Sequence, residues 1–204
     1  MRLTFATVLA LAATPLVAQQ LPKTPPGAPT PSRVTAGTYK VDGGHTQVLF
    51  TVNHLGFSLY TGQFIEPTGT LVLDPKNPAK DKVEISFPIA KVSSTAKELD
   101  AHLQKPEFFD SAKFPEGKFV STKVTVKGTT ATIAGNLTLK GVTKPVVHNA
   151  RLIVAGPGLM PPHKTNVGFA ATTSIKRSDF GINYGIPLVP DKVDLVINAA
   201  FEAQ

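Results

Sequence analysis

Residues 119–139 read FVSTKVTVKGTTATIAGNLTL, and the pattern of apolar residues in this stretch decides the fold. Apolar and polar residues alternate on both sides of Lys127 and Gly128. The apolar members are Val120, Val124, Val126, Ile133, Leu137 and Leu139. A period of two is typical of a β-strand with one apolar face, and a glycine-containing turn between two such strands indicates a hairpin. The stretch therefore predicts two neighbouring antiparallel strands.

The same alternation continues through the chain from residue 38 onward and predicts eight or nine strands. The other apolar runs are 39–42, 45–54, 62–73, 83–89, 146–154, 167–175 and 193–201. Strands joined by short turns are antiparallel neighbours, and an antiparallel sheet of about eight long strands loses its exposed edges when it closes into a barrel. We predict an all-β fold, an extended eight-stranded antiparallel barrel, with a β-sandwich as the alternative.

One segment interrupts the alternation and indicates a short helix. Thr95 followed by Glu98 forms a capping-box pattern, and Pro106 is expected to end the run, which predicts a helix over residues 96–104. Three aromatic residues follow it, Phe108, Phe109 and Phe114. Rings at this density in a loop are expected to pack against the barrel wall or its mouth.

Composition excludes several classes of protein. The chain has 204 residues, 42% of them hydrophobic and 17% charged, which fits one globular domain with a sizeable core. It has no cysteine, so a thiol nucleophile, a disulfide framework and a cysteine-ligated metal are excluded. The net charge is +7, but the lysines are spread singly without a basic run, so no nucleic-acid partner is expected.

The amino end predicts export. In residues 1–18, Arg2 precedes the apolar run LTFATVLAL and small residues up to Ala18, which is the order of a secretory signal peptide. The run is short for a membrane span, although an uncleaved anchor is the alternative. Residues 19–37 are rich in proline and are expected to form an extended tether. The folded domain is then 38–204, with no stable membrane insertion.

The usual catalytic signatures are absent from the sequence, which has no GxSxG, HExxH, Walker or GxGxxG motif. The five histidines, at 45, 54, 102, 148 and 163, never stand at i, i+2 or i, i+4. We therefore expect no catalytic residue, metal site or cofactor. His54 follows Val48, Phe50 and Val52 at a spacing of two residues, so it should lie on the apolar face of its strand. It is expected to be a hydrogen-bonded core histidine, with a ligand contact as the alternative.

The inward-facing set of the expected barrel mixes large and small apolar residues, so a filled core and a ligand-holding lumen both remain open. The residues of matching parity that would line such a lumen are Phe50, Val52, Phe87, Val124, Ile133, Phe169, Ala171 and Ile197.

Arg177 is the one charged residue that shares the parity of its strand's apolar set. Its guanidinium is expected near a barrel opening. It has two interpretations, an ion pair or backbone cap that closes the barrel end, with Asp179 nearby, or a bidentate contact to a ligand head group.

Four strings resemble, in order and spacing, the YceI-like polyisoprenoid-binding family over about residues 38–203. They are YKVDGGHTQVLFTVNHLGFSLYTGQF (39–64), DAHLQKPEFFDSAKFPEGKFVST (100–122), GNLTLKGVTKPV (135–146) and IKRSDFGINYG (175–185). The matched motif positions include His54, Phe108, Phe109 and Arg177. The resemblance implies a lipocalin-like barrel, secreted to the periplasm, that holds a long-chain isoprenoid or a related amphipathic lipid and has no established catalytic activity.

Three functions follow as hypotheses. The leading one is periplasmic binding, transport or sequestration of a long-chain lipid of polyprenyl, quinone or fatty-amide type, with a homodimer implied by the resemblance. The second is a barrel isomerase or cyclase with His54 or His102 as general acid or base. The third is a filled barrel that acts as an envelope-stress interaction protein.

Overall fold

The computed structural model describes residues 22–204, and the expected signal peptide at 1–18 lies outside them. The strands are β1 (Gly37–Val41), β2 (Gln47–His54), β3 (Ser58–Phe64), β4 (Thr68–Leu73), β5 (Lys82–Pro88), β6 (Val92–Ser93), β7 (Glu116–Lys127), β8 (Thr130–Leu139), β9 (Val142–Pro157), β10 (Thr165–Lys176) and β11 (Lys192–Ala203). The α-helix is α1 (Lys97–Leu103), and short 3₁₀ helices cover Pro31–Arg33, Pro78–Lys80, Ile89–Lys91 and Arg177–Phe180. None of these helices is long and apolar enough to cross a bilayer.

The sheet closes on itself into a barrel. Around the ring the order is β1-β4-β5-β7-β8-β9-β10-β11, and β11 returns to pair with β1, with Tyr39 opposite Ala203 and Val41 opposite Phe201. The remaining strands β2, β3 and β6 continue β1, β4 and β5, because β2 also pairs with β11, β3 with β2, and β6 with β3. The wall therefore has eight antiparallel strands, three of them broken into two segments, and the predicted barrel is confirmed.

The barrel has two distinct ends. The end that we call the helix end holds α1, the β2–β3 turn and the connection 177–191. The opposite end holds the β7–β8 turn and the connection 74–81. Each end has its own cluster of buried apolar side chains, centred on Phe64, Phe87 and Phe180 at the helix end and on Tyr39, Val167 and Phe201 at the opposite end.

Three phenylalanine rings lie flat against the inner wall because glycine stands beneath them. A Cβ atom added at Gly62 would lie 2.3 Å from Phe50 Cζ, and one at Gly117 would lie 2.3 Å from Phe87 Cε2. Gly135 faces Phe119 in the same way, at 2.4 Å from its Cζ. A ring that covers a cross-strand glycine adds apolar wall without projecting into the barrel.

A β-bulge in β7 changes which residues face inward, and it corrects one part of the expected alternation. The register shifts between Ser121 and Lys123, so Thr122 is the extra residue. Before the bulge Phe119 points inward and is 8% exposed, whereas Val120 points outward and is 36% exposed. Val120 was expected on the apolar face with Val124, and that expectation is wrong because an extra residue reverses the parity of a strand.

The helix forms at the predicted place but without the predicted cap. The residue at the N-cap position is Ala96, which makes no side-chain cap, and Thr95 takes a left-handed conformation with φ of 67°. The carboxylate of Asp100 instead accepts hydrogen bonds from the backbone N–H and the hydroxyl of Ser94, at 2.5 and 2.6 Å. The capping-box prediction is therefore wrong, because the acid that accepts hydrogen bonds from the chain before the helix is Asp100 and not the expected Glu98.

The described part of the proline-rich segment lies against the barrel rather than free in solvent. Ala28 and Ala155 exchange two backbone hydrogen bonds, with N···O distances of 3.2 and 2.9 Å. The partner strand β8 pairs with β9 only as far as Arg151, so the edge of β9 beyond that point offers unpaired backbone groups. Val34 packs on the apolar cluster of the opposite end. Residues 26–34 of the expected tether therefore lie against the barrel.

Replacing Gly62 by alanine tests the role of glycine beneath the rings. The new methyl group would displace the Phe50 ring toward the barrel interior, and we expect the free energy of unfolding to fall by about 1–3 kcal/mol, as for other overpacked cores. Chemical denaturation measures this change. Gly44→Ala is the control, because its Cβ would lie 3.6 Å from the nearest atom, Asp42 Oδ1, and should cost less. A G62A variant as stable as G44A would contradict the expectation.

Candidate functional site

A cavity of about 570 Å³ occupies the barrel interior. Its lining includes Leu99 and Tyr184 at the helix end and Val34 and Gly128 at the opposite end, so it extends along the barrel. The lining is almost entirely apolar. The charged residues that contribute to it are Asp81, Lys82 and Arg177. A concave, mostly apolar space with a few polar groups is the usual form of a small-molecule site.

All of the residues expected to contact a ligand lie on this one cavity. They are Phe50, Val52, His54, Phe87, Phe108, Phe109, Val124, Ile133, Phe169, Ala171, Arg177 and Ile197. The residues of the barrel wall were predicted from the alternation of apolar and polar residues along each strand. The two phenylalanines that follow α1, Phe108 and Phe109, were predicted from the family resemblance. That these side chains contact a ligand remains a prediction.

A row of alanines widens the cavity on one side of the wall. Ala131 of β8 stands opposite Ala150 of β9, and Ala150 stands opposite Ala171 of β10. Ile197 of β11 follows Ala171 in the same register. Three adjacent strands thus present only methyl groups at this level, so space remains in a barrel whose other inner residues are large.

His148 is a polar residue of the lining that the sequence interpretation missed. It lies in β9 with its ring edge-on to Phe119, the centroids 4.6 Å apart, and it is only 6% exposed. Burial lowers the pKa of His148 from 6.5 to about 4, so the imidazole is neutral at neutral pH. The available signal was its parity, which it shares with Val146 and Ala150.

His54 differs from the expectation of a core histidine. It is the last residue of β2, where the strand runs past the barrel end, and its side chain is exposed at the rim of the cavity, 6.3 Å from the Tyr60 ring. His102 also lies at this end, between the rings of Phe108 and Tyr184, with its Nε2 3.0 Å from Glu107 Oε1. Both histidines therefore belong to the mouth at the helix end.

Arg177 is 6% exposed and is held by backbone carbonyls. Its Nε donates to Pro190 O at 3.0 Å, its Nη1 to Ile182 O at 3.1 Å and Tyr184 O at 2.7 Å, and its Nη2 to Val189 O at 2.6 Å. The nearby acid is Asp191 rather than the expected Asp179, and it accepts hydrogen bonds from Ser178. This geometry is that of a backbone cap, which ties the connection 177–191 across the helix end.

Exposed apolar side chains surround the mouth at the helix end. Phe57 and Leu59, in and after the β2–β3 turn, are 91% and 76% exposed. Ile186 and Leu188 are exposed in the connection 177–191. The two segments are neighbours because β11 pairs with β2. The entrance to the cavity is therefore bordered by apolar surface.

No group of three or more histidine or acidic side chains in residues 22–204 is arranged to hold a metal ion.

A family model described as the YceI-like domain matches residues 39–201. The chain belongs to the YceI-like family. The UPF0312 protein of Enterobacter sp. (strain 638) is 40% identical to it over 171 residues, which cover 83% of this chain and 88% of that protein. Protein YceI of Salmonella arizonae shows the same identity and coverage.

Solved structures share the barrel. BcnA of Burkholderia cenocepacia superposes with a TM-score of 0.70 at 21% identity, over 78% of this chain and 98% of BcnA. The YceI protein of Campylobacter jejuni has a TM-score of 0.66 at 27% identity, over 74% and 89%. A polyisoprenoid-binding domain from Saccharophagus degradans, implicated in plant cell wall breakdown, has a TM-score of 0.62 at 12% identity, over 83% and 100%.

Replacing Arg177 by glutamine tests the cap. Loss of a buried guanidinium that satisfies four carbonyls should lower the free energy of unfolding by about 3 kcal/mol, equivalent to a melting temperature lower by roughly 6–12 °C. Differential scanning calorimetry measures the shift. Arg151→Gln changes an exposed arginine of β9 and should leave stability within about 0.5 kcal/mol. Equal melting of the two variants would show that Arg177 does not secure the connection.

The buried neutral His148 predicts a specific dependence of stability on pH. The unfolded chain takes up a proton near pH 6.5 and the folded protein only near pH 4, so this contribution is complete above 6.5 and is lost as pH falls toward 4. The total is on the order of 3 kcal/mol. We expect the stability of wild type to fall more steeply than that of His148→Phe over this interval. Parallel curves from denaturation at successive pH values would contradict the burial of a neutral imidazole.

Proposed function

We propose that this protein binds a long-chain isoprenoid or a similar amphipathic lipid of polyprenyl, quinone or fatty-amide type inside the barrel. The observation that carries the proposal is the apolar cavity of about 570 Å³ that extends between the two ends. Membership of the YceI-like family supports a binding protein rather than an enzyme. The Saccharophagus degradans protein of the same fold is a polyisoprenoid-binding domain, which is consistent with this ligand class.

The size of the cavity indicates the length of the chain. The volume of about 570 Å³ counts only the space open to the centre of a water-sized sphere, so at roughly 30 Å³ per heavy atom, the share of one water molecule in the liquid, the cavity holds at least about 19 heavy atoms. That number corresponds to about four isoprene units. Burial of about 20 carbon groups at about 0.8 kcal/mol each gives about 16 kcal/mol, which exceeds typical association costs of about 4–15 kcal/mol. Apolar burial alone can therefore support binding.

A periplasmic carrier or sequestering role is the rest of the proposal. The signal-peptide pattern of residues 1–18 supports export. The apolar border of Phe57, Leu59 and Leu188 gives a water-insoluble chain a surface to cross as it enters the mouth. Pairing as a homodimer belongs to the same proposal and rests on the family resemblance. Fractionation of a host that expresses residues 1–204 and sedimentation of the purified protein test the two parts separately.

Titration of lipid-free protein with isoprenoid alcohols of 10, 15 and 20 carbons, followed by native mass spectrometry, tests binding. We expect one ligand per barrel and tighter binding as the chain lengthens to 20 carbons, since each added carbon group buries more apolar surface. Failure of every chain to bind would refute the proposed function.

Ala171→Phe should shorten the usable cavity, because Ala171 belongs to the alanine row. We expect the 20-carbon alcohol to lose affinity most and the 10-carbon alcohol least, while stability falls by the modest amount of an overpacked core, about 1–3 kcal/mol. Thr172→Phe adds the same ring on the exposed outer face and is the control. A chain-length preference that A171F leaves unchanged would show that the ligand does not pass this level.

A further inference from the structure

The helix end of the barrel carries six exposed large apolar side chains, which we call the apolar rim. They come from the β2–β3 turn with the start of β3 and from the connection 177–191. Both segments reach the mouth, because His54 before the turn and Tyr184 in the connection line the cavity. A group of exposed apolar side chains of this kind marks an interaction surface. The members of the rim are Leu55, Phe57, Leu59, Tyr184, Ile186 and Leu188.

The segments that carry the apolar rim are free of charge. Residues 43–65 and residues 180–190 contain no aspartate, glutamate, lysine or arginine. At the opposite end, the eight residues of the connection 74–81 alone contain two aspartates and two lysines. The rim therefore fits a neutral, apolar partner, and electrostatic attraction to an acidic or basic one has no basis there.

The backbone of the connection is suited to leave water. Four of its carbonyls accept hydrogen bonds from Arg177. Pro187 and Pro190 have no N–H group to satisfy. The N–H of Val189 donates to Gly185 O at 2.8 Å. Irregular backbone is tolerated next to hydrocarbon only when its polar groups are satisfied within the protein, and Arg177 provides most of that here.

The β2–β3 turn is built in the same way. Phe57 lies at its tip and is 91% exposed, so neighbouring side chains hardly cover its ring. The N–H of Phe57 donates to His54 O at 3.0 Å, which closes the turn. The N–H of Gly56 donates to Asn53 Oδ1 at 2.9 Å. The ring therefore projects from a turn whose own hydrogen bonds are made, and it can enter an apolar phase without taking these N–H groups there unpaired.

The position of the apolar rim distinguishes between a bilayer and a second copy of the chain as its partner. A second copy seated on the rim would lie across the mouth through which the proposed ligand passes. A standard protein–protein interface also uses about 20–30 residues on each side, far more than the rim offers. A bilayer covers apolar side chains without blocking the mouth, and it is the phase in which a water-insoluble chain resides.

We propose that the helix end docks on the surface of a lipid bilayer, with the apolar rim inserted at the boundary between head groups and acyl chains. A lipid chain then passes between the bilayer and the cavity without crossing water. The proposal rests on the proposed lipid-binding function, to which it adds the surface that supplies or receives the ligand. Docking of this kind depends on apolar burial and not on anionic lipids.

A single tryptophan reports the contact, because the chain has none of its own. Phe57→Trp places an indole at the tip of the β2–β3 turn. With vesicles of phosphatidylcholine, its emission should shift to shorter wavelength and should be quenched by phosphatidylcholine brominated on the acyl chains. Met160→Trp is the matched control, since Met160 is 74% exposed in the β9–β10 loop at the opposite end. Emission of F57W that vesicles leave unchanged, or equal quenching of both variants, would overturn the proposal.

Removal of the apolar side chains tests the driving force. In the double variant Phe57→Ser, Leu188→Ser, partition onto phosphatidylcholine vesicles, measured by flotation, should fall at least about tenfold, because each change removes an apolar side chain from the contact. Met160→Ser should keep the wild-type partition. Salt raised from about 0.1 to about 1 M should not weaken wild-type docking by more than about twofold. A double variant that floats like wild type, or docking that requires anionic lipid, would refute the apolar contact.

Two further measurements separate this inference from its alternatives. If sedimentation shows that wild type is a dimer and the double variant a monomer, the apolar rim is an interface between copies and the proposal fails. Titration with the isoprenoid alcohols is independent of vesicles. A wild-type protein that binds an alcohol but no vesicle keeps the proposed function and refutes the docking. One that docks but binds no alcohol refutes the proposed function, while the contact with the bilayer stands.

Discussion

The hydrogen bonds of β11 with β1 and with β2, which continues β1, are the contacts on which the rest of the structure depends. They join the first and last strands of the domain, with Tyr39 opposite Ala203, and they turn an open meander into a ring. An open sheet of this length would expose two edges and would enclose nothing. Closure removes both edges, gives every inward-facing residue a neighbour across the interior, and creates the space that we interpret as a binding site.

Closure alone would leave that space filled by side chains, since the inner wall carries several phenylalanines. Two devices keep it open. The rings of Phe50, Phe87 and Phe119 lie flat over glycines of neighbouring strands, and the alanine row of β8, β9 and β10 contributes only methyl groups.

The two ends of the barrel are stabilised by different contacts. At the helix end Arg177 binds the carbonyls of the connection 177–191, and at the opposite end residues 26–34 lie along the free edge of β9.

The barrel and part of the cavity lining could be predicted from the sequence, because alternation along a strand determines which face a side chain occupies. That rule placed Phe87, Phe169 and Ile197 on the cavity. It failed at Val120, where the bulge at Thr122 reverses the parity and has no compositional signal. It also failed for the cap of α1, since the choice between Glu98 and Asp100 depends on where Ser94 lies after folding.

The polar residues of the site were harder to predict, because their roles depend on contacts between distant segments. The parity of Arg177 indicated that it points inward, but the carbonyls that surround it belong to a connection whose path the pattern does not define. His54 continues the alternation of β2 but lies at the rim of the cavity and not in the core, because β2 runs past the end of the barrel. The same rule could have placed His148 on the inner face of β9, although only the folded structure shows that its Nδ1 has no hydrogen-bond partner among residues 22–204.

The central claim is that the barrel carries a lipid chain in its interior. The most direct measurement is to purify the protein from a bacterial host without detergent, extract it with organic solvent and identify the extracted molecules by mass spectrometry. The account predicts about one lipid per protein, with a chain of about 20 carbons or more. Extracts that contain no lipid above the level of a Gly62→Phe control, in which the wall glycine beneath Phe50 is replaced by a bulky ring, would contradict it.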